Sequence, residues 1–405
     1  MKAPKKEGFD TIEWQVLVYL SKMGITEESI DISSILEIKS LDWNLLLHLA
    51  GLHRIKSLVH QGVMKWQDKH LVPSVVLDQL SKIHRHRSYT NLDHAKEMIQ
   101  LIGLFAERGV EVIPYKGVIL GQEAYGNVSL RDMSDIDLLM ELSDFEVIKD
   151  VILKRDYVPS KHVPKEFEAT FFKQNFEYNF DLYENGNRKY HVEPHWKIGF
   201  RRWQTGLNFK DVLPLTEKRP FFGTSVNMLT PEGLLLTTCL HHGGEDRWNS
   251  LKYLCDVAAI LFKLEKDLDW ELLLAESDKF KVTNIVLLGI GAAKNIFDAP
   301  VPQNIASLLS SRKLKYHIQK VDDQLKSSAR SANVNTYLND IGFHFSLRKN
   351  WSTKFKVLYY HITQLFVPTI YDVNHEDSIG KKYWWLVVTR PFRIWRTHIK
   401  PKSKD

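Results

Sequence analysis

The sequence predicts an α+β protein in which a small domain built on a mixed sheet lies between two helical regions. Apolar residues recur at helical spacing up to about residue 108, short apolar runs broken by turn signals follow, and helical spacing returns after Thr230-Pro231. We therefore divide the chain into an N-terminal helical region over 1–109, an α/β domain over 110–225, and a C-terminal helical region with a basic, aromatic tail over 226–405.

Composition sets the broad class of the protein. A chain of 405 residues exceeds one ordinary core, and 44% hydrophobic with 26% charged residues is typical of a folded protein. The net charge of +6 permits phosphate-rich partners without requiring them. Cys239 and Cys255 provide neither a disulfide framework nor a zinc quartet, and residues 1–10 lack the apolar segment of a signal peptide. No stretch is long and apolar enough to span a membrane, so a cytoplasmic location is expected.

The N-terminal region is predicted to be helical because its apolar residues recur three and four positions apart. Leu45, Leu49 and Leu52 follow one helix face, and Ile99 and Ile102 follow another. This spacing buries one stripe of each helix.

The α/β domain opens with a strand over 111–114, a turn at Lys116-Gly117, a helix-like segment and a strand over 135–140. Asp135 and Asp137 are two apart in that second strand, so they share a face and lie about 6.6 Å apart along it. Two such carboxylates could form half of a divalent metal site. The alternative is that they are the solvated face of an edge strand.

A helix is predicted from the capping box at Ser143 and Glu146, and a hairpin follows it. Asn185-Gly186 separates two apolar runs, over 176–183 and 190–196, which is a strong hairpin signal.

Hairpin register helps to select a third carboxylate. With Asn185-Gly186 as the two-residue loop, paired residue numbers sum to 371, and Glu193 lies opposite Tyr178. Glu193 then faces away from Asp181, so only one of the two can join the aspartates unless a bulge breaks the register. We choose Glu193.

The C-terminal region begins with Pro231 at a first helical position. His241, His242 and Asp256 suggest a second metal centre, because imidazole and carboxylate are common ligands. Adjacent histidines point about 100° apart on a helix, and no HExxH spacing is present, so we do not predict a separate centre.

The tail over 381–396 mixes aromatic and basic residues. It could lie on an anionic membrane surface or contact nucleic acid. The interpretation that we favour is a helix that packs its apolar side chains on the protein while Lys and Arg face water. Those apolar side chains are Trp384, Trp385, Leu386, Phe392 and Trp395.

Several short motifs together resemble one family. Lys116-Gly117, Arg131, Asp135-x-Asp137 and Glu193-x-His195-Trp196 resemble the uncharacterised nucleotidyltransferase family of the DNA polymerase beta-like superfamily. Small motifs with the same resemblance extend over nearly the whole chain. Two features depart from the wider superfamily: Lys116-Gly117 replaces its usual Gly-Ser pair, and eighteen positions separate Gly117 from Asp135.

The resemblance implies a polymerase beta-like domain that binds an NTP and Mg²⁺ or Mn²⁺. The expected metal-binding and catalytic residues are Asp135, Asp137 and Glu193, and the expected nucleotide-binding residues are Lys116, Gly117, Arg131 and Lys252. Carboxylates would hold the ions and cations would bind phosphate. For Arg131, a structural salt bridge is an equal alternative.

The function implied is metal-dependent transfer of a nucleoside monophosphate from an NTP to an acceptor, which could be a small molecule, a sugar, a protein or a nucleic acid. A net charge of only +6 makes a long nucleic-acid track the less favoured acceptor. The alternative function is a catalytically silent adaptor that uses the tail for peripheral contact with a membrane or a partner.

Overall fold

The structure is a computed structural model that describes residues 11–35, 41–199, 206–327, 342–369, 372 and 383–394. Its N-terminal part is helical, as predicted, and ends in one helix of 33 residues. The helices are α1 (Ile12–Ile25), α2 (Ile32–Ile35), α3 (Trp43–Leu52), α4 (Lys56–Lys65) and α5 (Ser74–Ala106). Among the described helices, none combines the length and the apolar character that a membrane crossing needs.

The central part contains the sheet and three helices. The strands are β1 (Val112–Pro114), β2 (Ile136–Met140), β3 (Val158–Pro159), β4 (Phe180–Glu184) and β5 (Asn187–His195), and the helices are α6 (Gly117–Tyr125), α7 (Phe145–Leu153) and α8 (Lys165–Gln174). Two small hairpins and a helical turn follow: β6 (Lys197–Ile198), β7 (Leu207–Asn208), α9 (Phe209–Val212), β8 (Thr216–Phe221) and β9 (Thr224–Leu229).

The C-terminal part is helical again, and Thr230 caps its first helix with Pro231 at the predicted first position. The helices are α10 (Pro231–Gly244), α11 (Leu251–Leu264), α12 (Trp270–Lys279), α13 (Thr283–Phe297), α14 (Gln303–Leu309) and α15 (Arg312–Lys326). Two further helices, Trp351–Gln364 and Tyr383–Ile394, are referred to below as the C-terminal helix pair. The predicted α+β class is therefore confirmed.

The five-stranded sheet is mixed, in the order β1-β2-β5-β4-β3. Strand β2 runs antiparallel to β1 and parallel to β5, while β5 and β4 form the predicted hairpin. The parallel register places Asp137 directly beside Glu193. Neighbouring side chains in register lie on one face of a sheet, so the fold itself brings these two carboxylates together.

The predicted hairpin register is wrong beyond the turn. Glu184 pairs with Asn187 as expected, but the register shifts at Leu182/Tyr183, and Asp181 then pairs with His191. A bulge adds one residue to a strand, so every side chain beyond it changes face relative to the prediction. Asp181 therefore shares a face with Glu193 instead of pointing away from it.

The predicted capping box at Ser143 is also wrong. Residues Leu142–Asp144 form a 3₁₀ turn, and α7 begins only at Phe145, with no side-chain cap from Asp144. Phe145, the first residue of the helix, is buried against the aromatic rings of Phe172 and Tyr178.

Two hydrophobic cores hold the protein together. One contains buried residues of both helical flanks, including Leu17 of α1 and Leu254 of α11. The other lies around the sheet and includes Ile136 and Val192. The helices before and after the sheet therefore pack on each other in one shared core.

The close approach of α1 and α4 depends on Gly62. A Cβ atom at this position would lie 1.9 Å from the carbonyl oxygen of Leu20. We expect Gly62→Ala to lower the free energy of unfolding by about 3 kcal/mol, because backbone has to move. Urea unfolding checks this.

Gly103→Ala is the matched control for Gly62→Ala. Gly103 lies inside α5, and no heavy atom is within 4 Å of the position that a Cβ would take. Alanine should stabilise here by about 0.5–1 kcal/mol. If Gly62→Ala leaves the free energy of unfolding unchanged or raises it, as Gly103→Ala should, α1 and α4 are not in tight contact.

The C-terminal helix pair does not pack as predicted. Leu386 is buried, but Trp384 is 63% exposed and Phe392 is 63% exposed. Trp385 is half-buried, and Trp395 lies outside the described residues. The helix Trp351–Gln364 also exposes large apolar side chains, including Trp351, Phe355, Leu358, Tyr359 and Ile362. The pair therefore presents an apolar surface to solvent.

Candidate functional site

The candidate site lies where β2 and β5 run side by side. The carboxylate of Asp137 contacts two bases: its Oδ1 is 2.7 Å from Nζ of Lys116 and 3.1 Å from Nε2 of His195. Nε2 of His195 is also 3.4 Å from Oε2 of Glu193. Asp137 and His195 are buried, and Glu193 is mostly buried. The sheet thus concentrates two carboxylates and two bases in one cluster.

Asp135 lies at the edge of this cluster. It immediately precedes β2, is half-buried, and accepts a hydrogen bond from the backbone amide of Ser134 at 3.5 Å. The donor atoms that the structure brings within 4.8 Å of one another belong to Asp137, Glu193 and His195. Of the three predicted metal ligands, two therefore meet directly, and His195 takes the third place.

Three residues of the cluster, Glu177, His191 and His195, have no role predicted from the sequence. His195 pairs with Glu177, whose Oε2 lies 3.2 Å from Nδ1 of that histidine. His191 lies between Glu193, at 3.0 Å, and Asp181, at 2.6 Å. The signal in the sequence is the alternation of His191, Glu193 and His195, which places all three on one face of β5.

Charge partners control protonation in the cluster. Burial lowers the pKa of His191, but hydrogen bonds to Glu193 and Asp181 outweigh it and raise that pKa to about 9. Burial likewise opposes the charged form of His195, yet Glu177, Asp137 and Glu193 raise its pKa to about 10. Burial favours the neutral form of Glu193, while His191 and His195 hold its pKa well below the usual range. Near neutral pH the cluster is therefore a network of ion pairs.

This network makes stability depend on pH. Because folding raises the pKa of His191 from 6.5 to about 9, its stabilising contribution is complete below about pH 6.5 and is lost as pH rises through 9. In buffer that contains a metal chelator, we expect the free energy of unfolding of the wild type to fall by about 1–3 kcal/mol more than that of His191→Gln between these pH values. Urea titrations at several pH values measure the difference. The exposed His48→Gln should behave like the wild type, and an equal slope for His191→Gln would contradict the assignment.

The Lys116-Gly117 turn brings backbone close to Asp135, at the start of β2. Gly117 has a φ of 54°, and a Cβ there would lie 3.3 Å from the carbonyl oxygen of Asp135. Glycine is required for both reasons. The ammonium of Lys116 contacts Asp137 and lies 3.0 Å from Nε2 of His241. Burial disfavours its charge, but Asp137 raises its pKa well above the ordinary value, so Lys116 is a fixed cation at the centre of the site.

Arg131 forms a buried ion pair with Asp256. Its Nε lies 3.1 Å from Oδ1 of Asp256, and Nη1 donates to the carbonyl of Gly117 at 3.5 Å. Asp256 also accepts from Tyr125 at 2.8 Å and contacts His242 at 2.9 Å. Of the two alternatives for Arg131, the structure contains the salt bridge, and Arg131 thereby connects the Lys116-Gly117 turn to α11.

Lys252 lies on α11 one turn before Asp256 and is buried. Burial and the nearby charges of Arg131 and Arg54 lower its pKa to about 7, while Asp256 and Asp132 act in the opposite direction. The charges that act on Lys252 are therefore those of the Arg131–Asp256 pair and its neighbours. The predicted contact of Lys252 with a triphosphate remains a prediction.

A cavity of about 420 Å³ opens beside the cluster. His195, Glu177 and His241 of the site line it together with several aromatic residues. The aromatic lining residues are Tyr115, Phe171, Phe176, Tyr178 and Tyr360, the last from the C-terminal helix pair. Cavities of this size and mixed polarity are typical of small-molecule sites.

The donor set fits hard divalent cations in part. Carboxylate oxygens of Asp137 and Glu193, with Asp135 two residues before Asp137 at the start of β2, are the ligands that Mg²⁺ and Mn²⁺ prefer. His195 is a nitrogen donor, which suits Mn²⁺ better than Mg²⁺. The site can therefore hold a divalent cation on the face where β2 and β5 meet.

A small mixed sheet with carboxylates on adjacent strands, flanked by helices, is consistent with a nucleotidyltransferase domain. The family model described as uncharacterised nucleotidyltransferase matches residues 39–298, about two thirds of the chain. The chain belongs to this family, which makes it a member of a transferase class. No curated protein and no solved structure matched in the corresponding comparisons.

Proposed function

We propose that the protein transfers a nucleoside monophosphate from an NTP to an acceptor in a reaction that depends on Mg²⁺ or Mn²⁺. The observation that carries this proposal is the in-register placement of Asp137 beside Glu193, with Asp135 two residues away, in a chain of this family. A bound divalent ion would neutralise phosphate charge and polarise the reacting oxygens.

The side chains have distinct roles in this proposal. Asp135, Asp137 and Glu193 would hold the metal, and Glu193 could accept the proton of an acceptor hydroxyl. Lys116 provides a buried positive charge beside Asp137, which is suited to an anionic phosphate. Gly117 allows backbone amides at the start of α6 to approach a phosphate, because a helix N-terminus favours negative charge.

The acceptor that we propose is a small molecule. The cavity of about 420 Å³ adjoins His195 and Glu177, and its aromatic wall would hold a ring or an apolar body. A cavity of this size accommodates a small acceptor better than an extended nucleic-acid strand, which needs a long basic groove.

The test is an NTP panel labelled at the α-phosphate and incubated with protein, Mg²⁺ or Mn²⁺, and a cell extract freed of macromolecules. Transfer of label to a small product is expected, and omission of metal should abolish it. A matched reaction with the macromolecular fraction separates the acceptor classes. Absence of NTP binding and of labelled product under every metal would refute the proposal.

The C-terminal helix pair supports a second function, contact with an anionic membrane surface. Trp384, Val388 and Phe392 are each at least 63% exposed and follow one another at four-residue spacing. Lys349 and Lys356 are exposed close to the apolar residues of the first helix. Exposed aromatic residues next to lysines are typical of helices that lie in the membrane interface.

Liposome sedimentation tests this second function. We expect binding to vesicles that contain phosphatidylserine, weaker binding to neutral vesicles, and loss of binding when Trp384, Val388 and Phe392 are all replaced by serine. The control replaces three exposed apolar residues elsewhere, Val75, Tyr89 and Phe222. Equal partitioning of both triple variants would exclude this surface.

A further inference from the structure

We propose that His241, His242 and Asp246 form a second metal site, separate from the carboxylates on the sheet, for a divalent transition metal such as Zn²⁺. The Nδ1 atoms of the two histidines lie 3.4 Å apart, and Oδ2 of Asp246 lies 3.5 Å from Nδ1 of His241. The three ligand atoms are all within 4.8 Å of one another.

These separations match a tetrahedral ion. With Zn–N bonds of about 2.0–2.1 Å, two nitrogen ligands of one zinc lie about 3.3 Å apart. The sequence predicted the opposite, because adjacent histidines leave a helix about 100° apart. That angle describes the Cα–Cβ directions only. Here the side-chain torsions in the last turn of α10 bring the two Nδ1 atoms together.

Carboxylates lie behind both histidines, at the ring nitrogens that face away from the proposed ion. Nε2 of His242 is 2.9 Å from Oδ2 of Asp256, and Nε2 of His241 is 3.2 Å from Oε2 of Glu245. Such carboxylate partners are the usual means by which metal-binding histidines are oriented, with Nδ1 left to bind the ion. They distinguish this group from an accidental pair of histidines.

The turn that carries Asp246 has an unusual backbone. Arg247 and Trp248, the next two residues, both have positive φ, 51° and 58°, which non-glycine residues rarely adopt. Trp248 is fully buried and contributes to holding this conformation. The backbone is therefore held in a shape that directs Asp246 back toward the histidines.

The contact between Lys116 and His241 can adapt to an ion. Nε2 of His241 now lies 3.0 Å from the ammonium of Lys116, an arrangement in which the nitrogen accepts. With a metal on Nδ1, the proton of the neutral ring moves to Nε2 and can be donated to Glu245. Lys116 keeps its contact with Asp137, so ion binding would replace two hydrogen bonds of His241, the one from Lys116 and the one to Nδ1 of His242.

The ligand set favours a transition metal. Two imidazoles and one carboxylate suit Zn²⁺ and its neighbours, whereas Mg²⁺ prefers oxygen ligands alone. Three protein ligands also leave a fourth position for water or another ligand. Because this site uses none of Asp135, Asp137 or Glu193, it does not depend on the proposed nucleotidyl transfer.

The experiment titrates the chelator-treated full-length protein with Co²⁺ and then displaces Co²⁺ with Zn²⁺, in excess Mg²⁺. We expect the wild type to bind one equivalent of Co²⁺ with visible d–d absorption bands. The affinity for Zn²⁺ should be at least about tenfold weaker in Asp246→Asn. The control Asp298→Asn replaces an exposed aspartate in a left-handed conformation and should bind like the wild type. Thermal unfolding verifies that each variant is folded.

A second arm uses Asp137→Asn with Glu193→Gln. Binding should persist in this variant, which places the ion away from the sheet. Three results would each overturn the proposal. They are loss of Co²⁺ binding in the Asp137→Asn, Glu193→Gln variant, unchanged Zn²⁺ affinity in Asp246→Asn, and absence of a Co²⁺ spectrum in the wild type. Nucleotidyl transfer can be absent while zinc binding is retained, so the two proposals fail independently.

Discussion

Asp137→Asn is expected to reduce nucleotidyl transfer by about 10³-fold, the largest effect on activity that we predict. The carboxylate contacts Lys116 and His195 and lies in register with Glu193, so it is the common centre of the site. Asparagine keeps the shape but removes the charge that would hold a metal. Several kcal/mol of transition-state stabilisation correspond to this factor.

The measurement is the rate of label transfer from an α-labelled NTP, with circular dichroism as a check of folding. Asp156→Asn is the matched control, because Asp156 is exposed and has a φ of 63°, which asparagine tolerates. It should leave the rate unchanged. Retained transfer in folded Asp137→Asn would remove the carboxylate cluster from the mechanism.

Asp256→Asn is expected to lower the free energy of unfolding by about 3–5 kcal/mol, the largest effect on stability. Asp256 is fully buried and binds Arg131, Tyr125 and His242. Burial opposes its charge, but Arg131 and His242 hold its pKa well below the usual range. Removing the charge leaves the buried guanidinium without a counterion. Urea unfolding at neutral pH measures the loss.

A double variant distinguishes this explanation from simple loss of packing. Arg131→Met combined with Asp256→Leu removes both charges, and it should recover most of the stability lost in Asp256→Asn. If the double variant is as unstable as the sum of its single variants, the two residues do not act as a pair. Pyrophosphate affinity of the folded double variant then reports whether Arg131 also binds phosphate.

The site was predictable to the extent that local patterns place side chains on faces. The strand with Asp137 followed from its apolar alternation, although Asp135 lies just before it, and the hairpin followed from Asn185-Gly186. Register beyond the turn was not predictable, because a bulge leaves no clear mark in the sequence. The bulge reversed the predicted position of Asp181, while Glu193 remained beside Asp137 through the parallel pairing with β2.

Residues that act over long sequence distances were harder to find. Lys116 meets His241, and Arg131 meets Asp256, across 125 positions in each case. Only the packing of the C-terminal helices on the sheet domain creates these contacts. Ordinary sequence patterns report neighbours within an element, so they gave Arg131 two equal roles and left Lys116 without its partners.

By itself the sequence determined the α+β class, the order of helical and sheet segments, the strand that carries Asp137, and the resemblance to the nucleotidyltransferase family. Each of these depends on the local period of apolar residues or on short motifs. Tertiary structure alone decided the bulged register, the role of His195, the Arg131–Asp256 pair and the His241–His242–Asp246 group. These depend on side-chain torsions and on contacts between distant elements, which pairing and burial determine only when the chain is folded.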